Sequence, residues 1–556
     1  MEQIRFLLAI ALSFLVLLVW QNYFIEKPPE QPGALKQQEA SESPDASKQA
    51  ENQNKALLSD TKPLQIKPEI QNEQVEPEKP AKQIIVQTPL FEVIMSERGA
   101  AINSITLRNY KTCLSENSTF MNLVNLEQLG TALVSFKNNV IPDLDKAVYD
   151  VQTSENIIQV TNPIDLKFTY QLPQGIQIVK NYYFDPTSYI IGLAVEIVNP
   201  TDFPIGDQLQ ISMRGLIPEN VGGYVFEGPA IYLNNSLEEI SLDDIADNVK
   251  FSGKVSWTAI EDRYFASAVL PLDAHEESQA VVFLNNNIIQ IDLQLPHTNI
   301  APQKHKLYRF GLFFGPKSHK LLSGFENDLQ HIINFGWFDI IARPCLYLMN
   351  LIYQFIPNYG IAIILLTILI KILFWPLGNK SYESMNQMRK LQPRMKALQE
   401  KYKDDRQKMN QELMNLYRTY KVNPLGGCIP MLLQIPVFIA LYSMLNQAIE
   451  LRHAPFFLWI NDLSAPDRLF QFEGYIPFMQ EPYGIPVLTI IMGGTMFLQQ
   501  KMSPAPGDPS QAKMMMLLPV FFTFIFINFP AGLVLYWLVN NVASILQQYY
   551  INKKNE

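Results

Sequence analysis

Residues 358–377 read NYGIAIILLTILIKILFWPL, twenty residues with a single charged side chain, Lys371. As a helix they are about 30 Å long, the thickness of a bilayer's hydrocarbon core. This stretch is therefore a transmembrane span, and it sets the fold class of the C-terminal half. Four more apolar segments follow, at about 426–447, 484–500, 514–529 and 532–550. Just upstream, HIINFGWFDIIARPCLYLMNLIYQFI (331–356) is apolar but interrupted by Asp339, Arg343 and Pro344. Its Trp337, Phe338, Ile341 and Tyr347 suit a helix lying in the membrane interface, over 331–357.

The loops orient these spans. Loop 378–425 carries 11 Lys/Arg against 5 Asp/Glu, Lys501 and Lys513 flank the next short loop, and Lys553 and Lys554 lie near the C-terminal end. Loop 448–483 has only Arg452 and Arg468 against five carboxylates. Basic loops face the cytoplasm, so 378–425, 501–513 and the basic tail 551–556 are cytoplasmic. A sixth span starts the chain: FLLAIALSFLVLLVW (6–20) follows Arg5 and closes with Trp20 and Tyr23. We read 1–25 as an uncleaved anchor, because QNYFIEKPP offers no small-residue cleavage site. Six spans put both termini inside and everything between the first two spans outside.

That outer segment has two parts. Residues 26–83, rich in Pro, Gln, Glu, Lys and Ser, cannot bury enough apolar area to offset ordering entropy and form a tether. Over 84–330, Leu166, Phe168, Tyr170 and Leu172 alternate with polar residues, as do Leu193, Val195 and Ile197, and Ile289, Ile291, Leu293 and Leu295. Period-two alternation punctuated by Gly, Pro and Asn is the pattern of an antiparallel β-sandwich. Residues 26–345 hold 25 basic and 40 acidic side chains, which argues against nucleic-acid binding there.

The whole chain, 556 residues with net charge -9, is 48% hydrophobic and 17% charged. Its mean hydropathy of zero averages a polar N-terminal part and an apolar C-terminal one. A single soluble globule and a wholly disordered chain are both excluded. Cys113, Cys345 and Cys428 are too few and too scattered for a disulfide scaffold or a metal site. Zinc-protease, nucleophile-elbow, phosphate-loop and dinucleotide motifs are all missing, so no cofactor and no catalytic residue is expected.

Loop 378–425 has its own pattern. Met385, Met388, Leu391, Met395 and Leu398 make one helical stripe, and Met409, Leu413, Leu416 and Tyr420 another. Two short helices joined near Asp404–Asp405, with a kink at Pro393, make a hairpin. Its basic residues Arg389, Lys390, Arg394, Lys396, Lys401 and Lys403 would form a docking face for nascent chains, ribosomal RNA or anionic lipid.

Lys371 lies about 9 Å from the cytoplasmic end of its span. It either snorkels to the headgroups or lines a water-filled cavity, where intramembrane charges usually reside. No Asp or Glu lies within the five spans to pair with it. Thr367 is one turn away on the same face. Two spans, 484–500 and 514–529, are shorter than the bilayer core and favour local thinning. Fifteen of the nineteen methionines lie in 345–556, as on surfaces that adapt to varied apolar partners.

The segments NPLGGCIPMLLQIPVFIALYSMLNQAIELRHAPFFLWINDLSAPD (423–467), LQPRMKALQEKY (391–402), MFLQQKMSP (496–504) and FPAGLVLYWLVNN (529–541) resemble the YidC/Oxa/Alb family of membrane protein insertases, in its Gram-negative bacterial form. The resemblance covers the whole chain. It implies an α-helical polytopic core of 358–550 in the inner membrane, a periplasmic β-supersandwich like that of galactose mutarotases, and a cytoplasmic helical hairpin. It implies a groove whose cation falls on Lys371, where the family usually has Arg. Lys keeps the charge and loses the bidentate fork. Thr367 and Gln434 fall on groove-lining positions, Asn528 where an aromatic is common, and Trp537 where Tyr is common. Ile435, Pro436, Phe438, Phe521 and Ile525 fall on an apolar slide for a substrate helix. Implied partners are nascent membrane proteins, the Sec translocon with its accessory subunits, the ribosome and the phospholipid bilayer.

Two other functions compete. A secondary transporter would need repeat symmetry and midplane acidic residues. A sugar-active envelope enzyme would need paired carboxylates in a cleft of the β domain.

Overall fold

The computed structural model describes residues 81–555, except 116, 127–128, 154, 219–224, 246–247, 274–276, 326, 404, 421, 423–428 and 504–508. The expected anchor, nearly all of the expected tether and Cys428 lie outside the described residues. The described chain divides into two units, one of strands up to Gly315 and one from Pro316 on, with Lys111–Thr119 grouped with the second.

Strands run from Gln83 to Pro316. By its contacts the strand unit runs to Gly315, and the short turn Leu329–Ile332, with Leu329 and Ile332 buried, belongs to the second unit. The largest sheet has nine strands. Within it Ile190–Asn199 pairs antiparallel with Gln177–Phe184 on one side and Lys304–Pro316 on the other. A five-stranded sheet containing Ile288–Gln294 stacks on it, through contacts of Val255–Glu261 with Ser278–Asn285 and Ile288–Gln294. A further five-stranded sheet is built on Phe91–Ser96 and Ala101–Lys111, with Gln83–Gln87 running parallel to Ile157–Gln159. The three predicted alternations fall on Ile164–Gln171, Ile190–Asn199 and Ile288–Gln294. Leu166, Phe168, Leu193, Val195, Ile197, Ile289, Ile291 and Leu293 are buried. Every second residue faces the core because strand side chains alternate.

One buried cation ties these sheets together. Lys180, on Gln177–Phe184, is fully buried and donates to the carbonyls of Gly99 (2.9 Å), Ala100 (3.1 Å) and Ala132 (3.0 Å). Gly99–Ala100 is the turn between Phe91–Ser96 and Ala101–Lys111, and Ala132 precedes Leu133–Phe136 of the stacked sheet. Gly99, Ala100 and Ala132 have φ of 67°, 42° and 57°, left-handed conformations that turn their carbonyls inward. Tyr182 adds its hydroxyl to the Ala100 carbonyl at 2.6 Å.

The second unit is helical. Asp339–Phe355 (α1) is the amphipathic segment expected at 331–357, preceded by turns at Leu329–Ile332 and Gly336–Phe338. Its Asp339 and Arg343 pair one turn apart, at 2.5 Å. Trp337, Ile340, Tyr347 and Phe355 are exposed, while Ala342, Leu346 and Met349 are buried. Tyr359–Leu373 (α2) starts at Asn358, whose side chain accepts from the Ile361 amide. Trp375–Lys401 (α3) follows after a bend of 65°, with Pro376 in its first turn, where a missing N–H costs nothing. Arg406–Thr419 (α4) is capped by Asp405.

The expected pair of short helices needs correction, because α3 runs 27 residues and Pro393 lies within it. The stripe explains the length. Leu391 and Met395 of α3 are buried with Val422, against Met388, Leu413, Leu416 and Tyr417.

Ile429–Gln447 (α5), Val487–Met502 (α6), Pro509–Phe526 (α7) and Ala531–Asn555 (α8) complete the unit. The basic tail expected at 551–556 continues α8 to Asn555, where Lys553 and Lys554 complement the helix dipole. No single helix among the described residues is long and apolar enough to cross a membrane; α2 and α3 pass only together, as a bent pair. The reason is local. The α2 and α6 helices have 15 and 16 residues, about 22–24 Å, and the apolar part of α7 is the shorter stretch Met514–Phe526. The longer α8 carries Asn540, Asn541, Ser544, Gln547 and Gln548. The α6 and α7 helices approach closely at Gly493, where a Cβ would collide with the Thr523 side chain.

Burial pulls the Lys180 ammonium down to about 7 from its ordinary 10.5. Between these values the unfolded chain binds more protons than the folded one. Stability should therefore rise with pH from about 7 to about 10.5, the cost of holding the proton being complete below 7. Thermal unfolding of the full chain in detergent should show this slope, and Lys180→Met should lack it. Equal slopes in both proteins would show that the three carbonyls keep Lys180 charged throughout.

Candidate functional site

The α8 helix organises the second unit through its polar side chains. Asn540, Ser544 and Gln547 are spaced four and three residues apart, so they share one face. Lys371 Nζ, near the end of α2, donates to Ser544 Oγ at 2.6 Å and Asn540 Oδ1 at 3.4 Å. Ser544 passes its own proton to the Asn540 carbonyl one turn back, at 2.7 Å, leaving its lone pairs for the ammonium. Gln434 of α5 donates to the same Asn540 Oδ1 at 2.9 Å and is bonded to the Tyr536 hydroxyl. Tyr382 of α3 bonds Ser544. The cluster thus joins α2, α3, α5 and α8 around one cation.

Every partner of that cation is neutral. Among the described residues Lys371 has no ion pair and two acceptors, so one of its three N–H donors is unassigned. No described side chain within the site cancels the charge, which leaves an ammonium chemically suited to an anion.

The other polar residues of α8 fasten neighbouring helices. Gln547 donates to the Trp375 carbonyl (3.1 Å) and Asn379 Oδ1 (2.9 Å), just past the α2–α3 bend. Gly378 makes room for it, since a Cβ there would lie 2.8 Å from Gln547 Nε2. Gln548 holds the Met502 carbonyl at the end of α6, and Asn541 meets Thr495 within it.

Sequence-predicted positions divide into groups. Lys371 and Gln434 meet through Asn540. Thr367 is buried on the same helix, its hydroxyl returned to the Ile363 carbonyl at 2.6 Å. Trp537 packs in an aromatic cluster, edge-on to Phe438 with centroids at 4.6 Å and against Phe526 at 4.9 Å. Asn528 is elsewhere: it accepts from Arg468 Nη2 and the Gln480 amide and donates to the Phe478 carbonyl. Ile435, Phe521 and Ile525 are exposed, and Pro436 and Phe438 half-buried. Arg389, Lys390, Arg394, Lys396, Lys401 and Lys403 are all exposed, with Arg394 over the Tyr420 ring at 4.7 Å. Sequence reasoning missed Ser544, Gln547 and Tyr382 as members of the site. The N-x-x-x-S-x-x-Q spacing at 540–547, a polar stripe in an apolar helix, is the signal that marks the first two.

Two family models match the chain: the YidC periplasmic domain over residues 83–348 and the 60Kd inner membrane protein over 351–556. A membrane protein insertase YidC of Syntrophus aciditrophicus is 41% identical over 85% of each chain. One of Syntrophobacter fumaroxidans is 37% identical over 99% of each. A solved structure, an active YidC insertase with its first transmembrane domain resolved, is 19% identical over 84% of this chain and 92% of that one, with a TM-score of 0.38.

Asn540→Leu should remove one acceptor from Lys371 and one from Gln434. Removing one partner from a buried polar pair costs about 1–3 kcal/mol. The variant should therefore melt several degrees lower in detergent, as followed by circular dichroism. An unchanged melting temperature would mean the cluster contributes nothing to packing.

Proposed function

The chain belongs to the YidC family of membrane protein insertases, and from that premise we propose how its helical unit handles a substrate. It is a membrane protein insertase of the bacterial inner membrane, its substrates are nascent membrane proteins, and its medium is the phospholipid bilayer. The α5–α8 helices and the α2–α3 bend are the five spans of the core, preceded by the anchor in 1–25. Orientation follows the charges: the α3–α4 hairpin, Lys501 and the end of α8 lie in the cytoplasm, and the β unit lies in the periplasm.

The observation that carries the mechanism is a half-buried ammonium whose described partners are all neutral, Asn540 and Ser544. A short acidic or polar tail moves to Lys371, which offsets part of the tail's desolvation cost. The short α2 and α6 helices reduce the distance left to cross, by thinning the bilayer around them. The following hydrophobic segment leaves along Ile435, Pro436, Phe438, Phe521 and Ile525. Burial of its roughly 20 apolar residues, at about 25 cal/mol per Å², drives transfer without nucleotide or bond chemistry. Thr367 and Trp537 wall the groove, and Asn528 closes its outer end through Arg468. Capture begins at the basic face of α3, which suits a ribosome, and the Sec translocon with its accessory subunits shares larger clients.

Insertion of a single-span client with an acidic translocated tail tests this, in cells depleted of their own insertase. Lys371→Arg should support insertion, and Lys371→Ala should reduce it roughly tenfold or more, the equivalent of about 1.4 kcal/mol. Asn540→Asp should reduce it to a similar extent, because a carboxylate beside Lys371 neutralises the receptor while leaving it in place. Insertion by Lys371→Ala at the wild-type rate would sink electrostatic capture and leave the work to hydrophobic sliding.

A further inference from the structure

Fourteen described non-glycine residues have positive φ, and most are Asn, Asp, Ala, Gln or His. The large apolar exceptions are Leu458 (φ 58°), Phe470 (φ 51°) and Phe478 (φ 67°). All three lie in one loop, between α5 and α6, and they are 86%, 74% and 85% exposed. A bulky L-residue in the left-handed region is strained, and Gly or Asn would relieve it. A large exposed hydrophobe in water is also unfavourable. Three such coincidences in one loop call for an apolar environment that compensates both.

The loop's attachments say which environment. Leu458 sits in a turn closed by the Ile460 amide on the Phe457 carbonyl. The next residue, Trp459, bonds Asp467, whose other oxygen accepts the Leu488 amide in the first turn of α6. Phe470 adjoins the Leu469–Ile485 bridge, two residues before α6 begins. The Phe478 carbonyl is held by Asn528, between α7 and α8, while Arg468 binds the Ile527 carbonyl and Asn528. Each tip is thus fixed at the start of α6 or the α7–α8 turn. Lys501 and Lys553–Lys554 mark the opposite ends of α6 and α8. With these helices read as spans, as proposed above, the tips lie at the outer interface of the membrane.

We propose that Leu458, Phe470 and Phe478 seat this loop in the headgroup–acyl boundary of the outer leaflet, as a fixed apolar collar around the outer ends of α6–α8. The attachment is apolar. Glu473, between Phe470 and Phe478, and Glu481, just after Phe478, are exposed, and Arg468 is buried with its donors on protein oxygens. Seating should accordingly be indifferent to lipid charge and to salt. The collar keeps the loop from lifting while a client passes beside it.

The test places a nitroxide at 458, 470 or 478 of the full chain, its native cysteines replaced by serine, in phosphatidylcholine liposomes. Relaxation by membrane-partitioning oxygen is compared with relaxation by a water-soluble nickel chelate. Labels at Glu473, Ile491 on α6 and Phe521 on α7 serve as references. The three tips should show an oxygen-to-nickel ratio several-fold above that at 473, unchanged in high salt. Tips as wet as 473, with 491 and 521 in lipid, would overturn the collar and leave the spans standing. Wet labels at 491 and 521 would instead overturn the span assignment. Tips shielded from both reagents would mean a second protein chain covers them, which also overturns the proposal. A second variant, Leu458→Asn with Phe470→Asn and Phe478→Asn, separates seating from folding. It should melt no lower than wild type in detergent, while a label at Tyr475 shifts toward water; an unmoved label would count against the collar.

Discussion

A lysine ammonium among apolar helices is costly unless its donors are met, and the arrangement of the helical unit follows from how Lys371 meets them. Its acceptors come from α8, and α8 in turn is reached by Gln434 from α5 and Tyr382 from α3. The bend after Leu373 lets α3 leave the α2 axis close to Lys371, and Gln547 fixes that bend by holding the Trp375 carbonyl. The cation therefore stands where four helices converge, and moving any one of them would disturb its partners.

The same chain carries a second buried lysine, and the contrast separates a structural cation from the one proposed as the receptor. Lys180 is saturated by three carbonyls fixed in left-handed turns, has no donor to offer, and locks strands of three sheets together. Lys371 has two described acceptors, both neutral side chains on a neighbouring helix, and is only partly buried. A saturated ammonium in a rigid β framework specifies packing. An unsaturated one on a short helix can exchange partners, which is what a transient receptor for an acidic segment requires.

Polar side chains also explain why α8, long enough by itself, falls short as an ordinary span. Along α8, Asn540, Asn541, Ser544, Gln547 and Gln548 lower the hydropathy of a 25-residue helix while bonding α2, α3, α6 and each other's turns. In a bilayer such groups face the bundle, and a small residue such as Gly378, opposite Gln547, allows the close approach that satisfies them. The mechanism proposed above draws on the same feature: a bundle with a polar interior and short walls would offer a polar segment less hydrocarbon to cross than lipid alone.

The sequence by itself determined the two architectures, the strand faces and the packed stripe of the hairpin. Period-two runs such as Leu193–Ile197 bury one face because pleated backbones alternate, and the 385–398 stripe packs because helical periodicity puts it on one side. Family membership was legible too, from long motifs such as 423–467. Local periodicity could not reveal partners distant in the chain. Lys371 and Ser544 are 173 residues apart, and Lys180 and Gly99 are 81. Asn528 illustrates the limit: the resemblance placed it on a groove position, whereas tertiary packing gave it to Arg468 at the opposite helix ends. The continuous α3 is a second case, because the buried stripe outweighs the local preference of Pro393 to break a helix. Positive φ at Leu458, Phe470 and Phe478 has no sequence signature at all, since such residues ordinarily avoid it. Hydrophobic pattern is a local property of the chain and fixes which faces are buried; hydrogen-bond geometry is a property of the packed molecule and alone decides which polar groups meet.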